Sequence, residues 1–145
     1  MSIFDHLSRR NLCLMLPALA ATAALADEEK SPLPSTVLRF EDLPSEGSGE
    51  YTAKQLLHGW THEGFRVAMH ESDLAPGGAP HPAHRHKHEE MFLVREGTLE
   101  VTIEGKSTKF GPGSAAYIAS NDLHGVRNAG TTHAQYFVLE LGTDD

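Results

Sequence analysis

Cysteine is almost absent from this chain of 145 residues, which contains only Cys13. A disulfide within one chain is therefore excluded, and a single thiol near the N-terminus gives little basis for thiolate chemistry. Basic residues are also few, with 12 Lys and Arg against 20 Asp and Glu and a formal net charge of −8 at pH 7. Such an acidic protein is not expected to bind nucleic acid or an anionic membrane.

Long hydrophobic runs are missing as well, because the apolar stretch near the N-terminus is short and interrupted by Pro17. This stretch follows Arg9-Arg10 and ends in the small-residue triplet Ala24-Leu25-Ala26. A basic start, a short apolar core and an A-x-A end predict a secretory signal, not a membrane span. The paired arginines resemble the twin-arginine export signal; an ordinary secretory signal with a basic start is the alternative.

We therefore expect residues 1–26, including Cys13, to be a signal peptide that is removed on export. The mature chain would begin at Asp27, carry no cysteine, be periplasmic or extracellular, and have no membrane contact after cleavage. Its length suits one small domain. Without disulfides, its stability must come from packing, from association between chains or from a bound metal.

Helical patterns are scarce in the remaining chain, where only a short helical turn near residues 51–57 is expected. Residues 27–50 are interpreted as a spacer and an N-terminal strand, with Val37 to Phe40 as a candidate strand for exchange between chains. Apolar and polar residues alternate in three further segments, Phe65–Met69, Leu99–Ile103 and Phe137–Leu141. Short strands separated by Gly, Pro and Asn turns predict an all-β sandwich or barrel over residues 51–145.

Histidine is abundant in one short segment, since four of the ten histidines lie within residues 81–88. Imidazole nitrogen is a common metal ligand, and carboxylate completes a site for a divalent ion. On a strand, His84 and His86 would point to the same face. A turn through Lys87 to Glu89 would then place Glu90 on a partner strand, facing both imidazoles across a hairpin.

The spacing of these residues resembles the first motif of the cupin superfamily, whose defined positions are filled by Gly78, His84, His86, Glu90 and Gly97. A second stretch, Gly113 to Asn128, resembles the second cupin motif. It departs from that motif at Ala119 and Asn121, where proline and glycine are usual. Asn121 can still supply the turn, because asparagine tolerates the left-handed region.

The resemblance implies a single β-barrel of the cupin type, that is, a jelly roll or double-stranded β-helix. It also implies one divalent metal ion, with four protein ligands: His84, His86, Glu90 and His124. We favour Mn or Fe, because twin-arginine substrates generally cross the membrane folded and could receive metal before copper or zinc competes; Ni, Cu and Zn are the alternatives.

The ligand set implies a metal-dependent oxygenase, such as a dioxygenase, or a related enzyme acting on a small oxygen-rich organic molecule. In that reaction Glu90 could act as the base. We expect an apolar and aromatic pocket around the ion, lined by Phe92, Val94, Tyr117, Val126 and Tyr136. A non-enzymatic module that binds a small molecule or stores metal is the alternative function.

Other residues of ligand type are assigned no part in this site. Two histidines outside the motif are expected to be exposed at the barrel mouth, namely His81 and His88. Four more are interpreted as surface or packing residues, namely His58, His62, His70 and His133. Glu89 should point away from the metal, because its strand parity is opposite to that of Glu90. A homodimer is expected, because a bare barrel edge favours pairing of two chains.

Overall fold

The computed structural model describes residues 31–142, so the expected signal peptide at residues 1–26 lies outside the described residues. Within residues 31–142, helix is limited to one 3-10 turn at Phe40–Asp42. In this described part of the chain, no helix is long and apolar enough to cross a bilayer.

Nine strands make up the described part of the chain: β1 Glu46–Ser48, β2 Tyr51–Trp60, β3 Arg66–Leu74, β4 Glu89–Glu96, β5 Leu99–Ile103, β6 Lys106–Phe110, β7 Ala115–Ile118, β8 His124–Asn128 and β9 Ala134–Gly142. They form one six-stranded sheet in the order β1-β2-β3-β9-β4-β7 and one three-stranded sheet in the order β6-β5-β8. Neighbouring strands in both sheets are antiparallel.

The core lies between the two sheets and follows the period of two that strands impose. In β4, Phe92 and Val94 are buried whereas Met91 and Leu93 are exposed. In β5, Leu99 and Val101 are buried in the same way, and Ile103 is partly buried. The all-β prediction is thus confirmed as a two-sheet jelly roll, in which the sheets are hydrogen-bonded separately.

Strands β3 and β9 show that alternation locates a strand without identifying its inner face. The apolar series that begins at Phe65 and the one that begins at Phe137 both lie on the outer face of the large sheet, where Phe65 is 47% exposed. The inner face of β9 instead carries Tyr136 and Val138. Both faces of this sheet are therefore rich in apolar side chains.

The helical turn expected near residues 51–57 is wrong, because these residues belong to β2, which pairs with β3 along its length. A register shift between Gln55 and Leu57 breaks the alternation of side chains, so the sequence does not show a strand pattern there. Residues 37–39 lie outside the strands of this fold, and Phe40 begins the 3-10 turn.

Asn128, at the end of β8, fastens the two motif-bearing segments together. Its side chain is fully buried and donates to the carbonyl oxygens of Leu74, at 2.9 Å, and Thr132, at 2.7 Å. Its backbone amide donates to the carbonyl oxygen of Gly78, at 2.9 Å. The first residue of one motif is thereby hydrogen-bonded to the last residue of the other.

Gly97 and Gly105 provide a matched test of how closely the backbone packs at Gly97, because both have positive φ angles, 79° and 80°. A Cβ at Gly97 would lie 2.5 Å from the carbonyl oxygen of His133, whereas a Cβ at Gly105 would meet nothing within 4 Å. We predict that Gly105→Ala lowers the free energy of unfolding by about 1–2 kcal/mol, the cost of the left-handed backbone alone. Gly97→Ala should cost about 1–3 kcal/mol more, because backbone atoms overlap. Equal losses of unfolding free energy for the two variants, measured by denaturant titration, would contradict the close contact between Gly97 and His133.

Candidate metal centre

A short backbone ladder brings the two motif segments together, and it differs from the hairpin expected from sequence. His84 and His124 form an antiparallel bridge, with amide-to-carbonyl distances of 2.9 and 3.0 Å. The amide of Asn121 also donates to the carbonyl oxygen of His86, at 2.8 Å. His84 and His86 therefore pair with the segment around His124 and not with β4, whose partners are β7 and β9.

Arg85 holds this ladder from the side opposite the imidazoles. Its guanidinium donates to the carboxylate of Glu104 at 2.6 Å and also to the carbonyl oxygen of Asn121. Glu104 accepts a further hydrogen bond from the amide of Leu123, at 2.7 Å. The Leu123 amide and Arg85 together lower the pKa of the Glu104 carboxyl group. Asn121 adopts the left-handed backbone expected from sequence, with φ 64°.

Backbone carbonyl groups set the orientation of the three motif imidazoles. Each imidazole donates its Nδ1–H to a carbonyl oxygen two residues away: His84 to Pro82 at 3.3 Å, His86 to His88 at 2.8 Å and His124 to Asp122 at 2.9 Å. A proton on Nδ1 leaves the lone pair of Nε2 free, which is the arrangement that a metal-binding histidine requires. The local backbone thus prepares three nitrogen donors.

Glu90 completes this donor set from β4. Its Oε2 lies within hydrogen-bond distance of Nε2 of His124, at 3.0 Å, and 3.4 Å from Nε2 of His86. The ligand atoms of the three motif histidines, including His84, all lie within 4.8 Å of one another. We call these four residues the metal centre.

The chemistry of the metal centre fits a divalent cation. Nε2 of His86 is buried and has no hydrogen-bond partner. Its lone pair therefore stays unsatisfied unless a cation faces it. Burial, with a smaller contribution from His81, lowers the pKa of His84 and favours the neutral imidazole that metals bind. Three nitrogens and one carboxylate suit first-row divalent ions and leave positions open on an octahedral ion.

A cavity of about 270 Å³ opens onto the metal centre. Of the five residues expected to line it, Phe92, Val126 and Tyr136 do so. Val94 is packed in the core. Tyr117 does not line the cavity either, because it lies beside Met91 on the outer face and is 52% exposed.

Five further ionisable side chains line the cavity and were not assigned to it from sequence: Tyr51, His70, His81, His88 and Glu140. His88 was expected at an exposed position, but its ring stacks on that of His86 with centroids 3.7 Å apart. Glu140 lies directly opposite Glu90 in the pairing of β9 with β4. Burial lowers the pKa of His70, against the opposing effect of the two carboxylates. The register of distant strands brings Glu140 here, and the sequence alone carries no signal for it.

Comparison with known proteins agrees with this fold. The family model described as "Cupin domain" matches residues 70–140. A search of curated proteins finds no match. KdgF from a Halomonas species is 17% identical, with 77% of this chain and 97% of that chain covered and a TM-score of 0.66.

Two further solved structures show a similar fold. An RmlC-like cupin from Shewanella frigidimarina is 18% identical, with 77% of this chain and 95% of that chain covered and a TM-score of 0.62. A protein from Thermotoga maritima, described as a predicted oxalate decarboxylase, is also 18% identical, with 74% and 99% covered and a TM-score of 0.62. The family-model match over residues 70–140 and the fold shared with these structures support the expected similarity to the cupin superfamily.

Proposed function

We propose that this protein is an exported metal-dependent enzyme, an oxygenase or a related catalyst, which acts on a small oxygen-rich organic molecule. The observation that supports this proposal most strongly is the position of the metal centre at the wall of an open cavity. A purely structural metal site would be closed by protein ligands on all sides, whereas catalysis needs open coordination positions facing a substrate.

The cavity walls indicate how a substrate would be held. Phe92, Val126 and Val138 supply apolar surface, and the phenol of Tyr136 stays protonated because burial raises its pKa. At about 270 Å³ the cavity falls just below the usual range of small-molecule pockets, about 300–1,000 Å³. This size favours a compact ligand.

A bound divalent ion would supply Lewis acidity and, if redox-active, reactivity toward dioxygen. The protein residues would do the rest. The three histidines hold their Nε2 atoms toward one point through their Nδ1 hydrogen bonds. Glu90 would orient a hydroxyl group of the substrate and accept its proton. The apolar wall would exclude water from the reacting atoms.

We predict that His124→Ala and Glu90→Ala each lose bound metal and turnover together, because either change removes a donor of the metal centre. Metal content and oxygen uptake should be measured for Fe- and Mn-loaded protein with phenols, diketones and carboxylic acids. His133→Ala is the matched control, since His133 is exposed and pairs with Asp73 away from the cavity. Turnover by a metal-free variant would contradict the proposal, and tight ligand binding without turnover would favour a binding module.

Export through a twin-arginine signal forms part of the proposal and rests on the sequence of residues 1–26. We predict that the protein recovered from the exported fraction begins at Asp27 and contains mostly Mn or Fe. Arg9→Lys combined with Arg10→Lys should retain the protein in the cytoplasm. N-terminal sequencing and metal analysis test these points. Continued export of the variant would contradict the twin-arginine route, and mostly copper or zinc would contradict the metal assignment.

We also propose a homodimer that packs through the outer face of the large sheet, where Met91, Leu93 and Tyr117 are exposed beside one another. Exposed apolar groups in one patch favour association. Leu93→Lys should convert the dimer to a monomer in light scattering after gel filtration. Leu123→Lys is the control, because Leu123 is similarly apolar and exposed but lies outside this face. A monomeric parent protein would contradict the proposal.

A further inference from the structure

His88 and Glu140 lie beside the metal centre, and the four-ligand set does not use them. Both line the same cavity, with side chains 21% and 25% exposed. Glu140 and Glu90 are direct partners on β9 and β4, and both face inward. Two carboxylates paired across neighbouring strands repel each other, and a positive charge between them would offset this repulsion.

The two oxygens of Glu90 face different groups. Oε2 points toward the metal centre, as its 3.0 Å distance to His124 shows. Oε1 lies 3.8 Å from Nε2 of His88, and Oε2 of Glu140 lies 3.8 Å from that same nitrogen. Neither distance is a hydrogen bond. The imidazole of His88 therefore stands between two carboxylates without donating to either.

These distances match the spacing of donors around one ion. First-row divalent ions bind nitrogen and oxygen at about 2.0–2.2 Å, so two donors that flank one ion lie about 3–4.3 Å apart. The ligand atoms of His86, His88 and Glu90 also form a group within 4.8 Å of one another. His86 already directs Nε2 to the metal centre, because its Nδ1 donates to the His88 carbonyl. The third position can be taken by Glu140, whose Oε2 lies 3.8 Å from Nε2 of His88.

We propose that His88, Glu140 and Oε1 of Glu90 form a second divalent-cation site, which shares the Glu90 carboxylate with the metal centre as a bridge. The class of ion is the same, because the donors are again imidazole nitrogen and carboxylate oxygen. The second ion would balance the charge of Glu140 and offer another position for a substrate oxygen. The inference rests on the metal centre but does not depend on any particular reaction.

The test is the number of ions bound by the purified full chain. Metal-free protein is titrated with Mn²⁺ by calorimetry, and the saturated sample is then studied by electron paramagnetic resonance. We expect two ions per chain and the spin coupling that a bridging carboxylate produces. His88→Asn and Glu140→Gln should each bind one ion and lose the coupling, while their thermal unfolding stays cooperative.

Two controls match these variants. Glu89→Gln removes the carboxylate next to Glu90 on the opposite face of β4, and His133→Asn removes an exposed imidazole; both variants should still bind two ions. A single ion in the parent protein would overturn the second site and leave the proposed function intact. This result is expected if a protonated His88 imidazole, and not a second ion, balances the charge of Glu140. Two ions in both His88→Asn and Glu140→Gln would also overturn it. No bound ion at all would contradict the metal centre itself.

Discussion

The backbone bridge between His84 and His124 is the constraint on which the candidate site depends. It joins the loop before β4 to the start of β8, which belong to different parts of the two-sheet fold. Arg85 and Glu104 reinforce the bridge from the outside, and Asn128 secures its other end to Gly78. Since His124 is only 2% exposed, its imidazole has no room to leave the site without breaking these contacts.

The parts of the site that come from local sequence were predictable. His84, His86 and Glu90 are close in the chain, and motif spacing added His124, whose neighbour Asn121 adopts the expected left-handed turn. The route by which they converge was not predictable. A backbone bridge between the loop before β4 and the start of β8, not a local hairpin, aligns the histidines, and this bridge joins residues far apart in sequence.

The cavity wall shows the same division between local and long-range information. Phe92 follows Glu90 by strand parity, so its place was expected. Glu140 reaches the cavity through the register of β9 against β4, and His70 through that of β3 against β9. The apolar series of β3 and β9 favours the wrong face, because the outer surface of the large sheet is itself apolar. Alternation therefore locates strands more reliably than it identifies which side faces the core.

The metal centre would hold its ion at the cavity wall through three imidazoles and Glu90. Anomalous diffraction from crystals of the metal-loaded protein, recorded at the absorption edge of the bound metal, tests it most directly. We expect a strong peak within bonding distance of Nε2 of all three motif histidines and of a Glu90 oxygen. The absence of this peak, or a peak bonded to Glu90 while His124 points away from it, would contradict the metal centre.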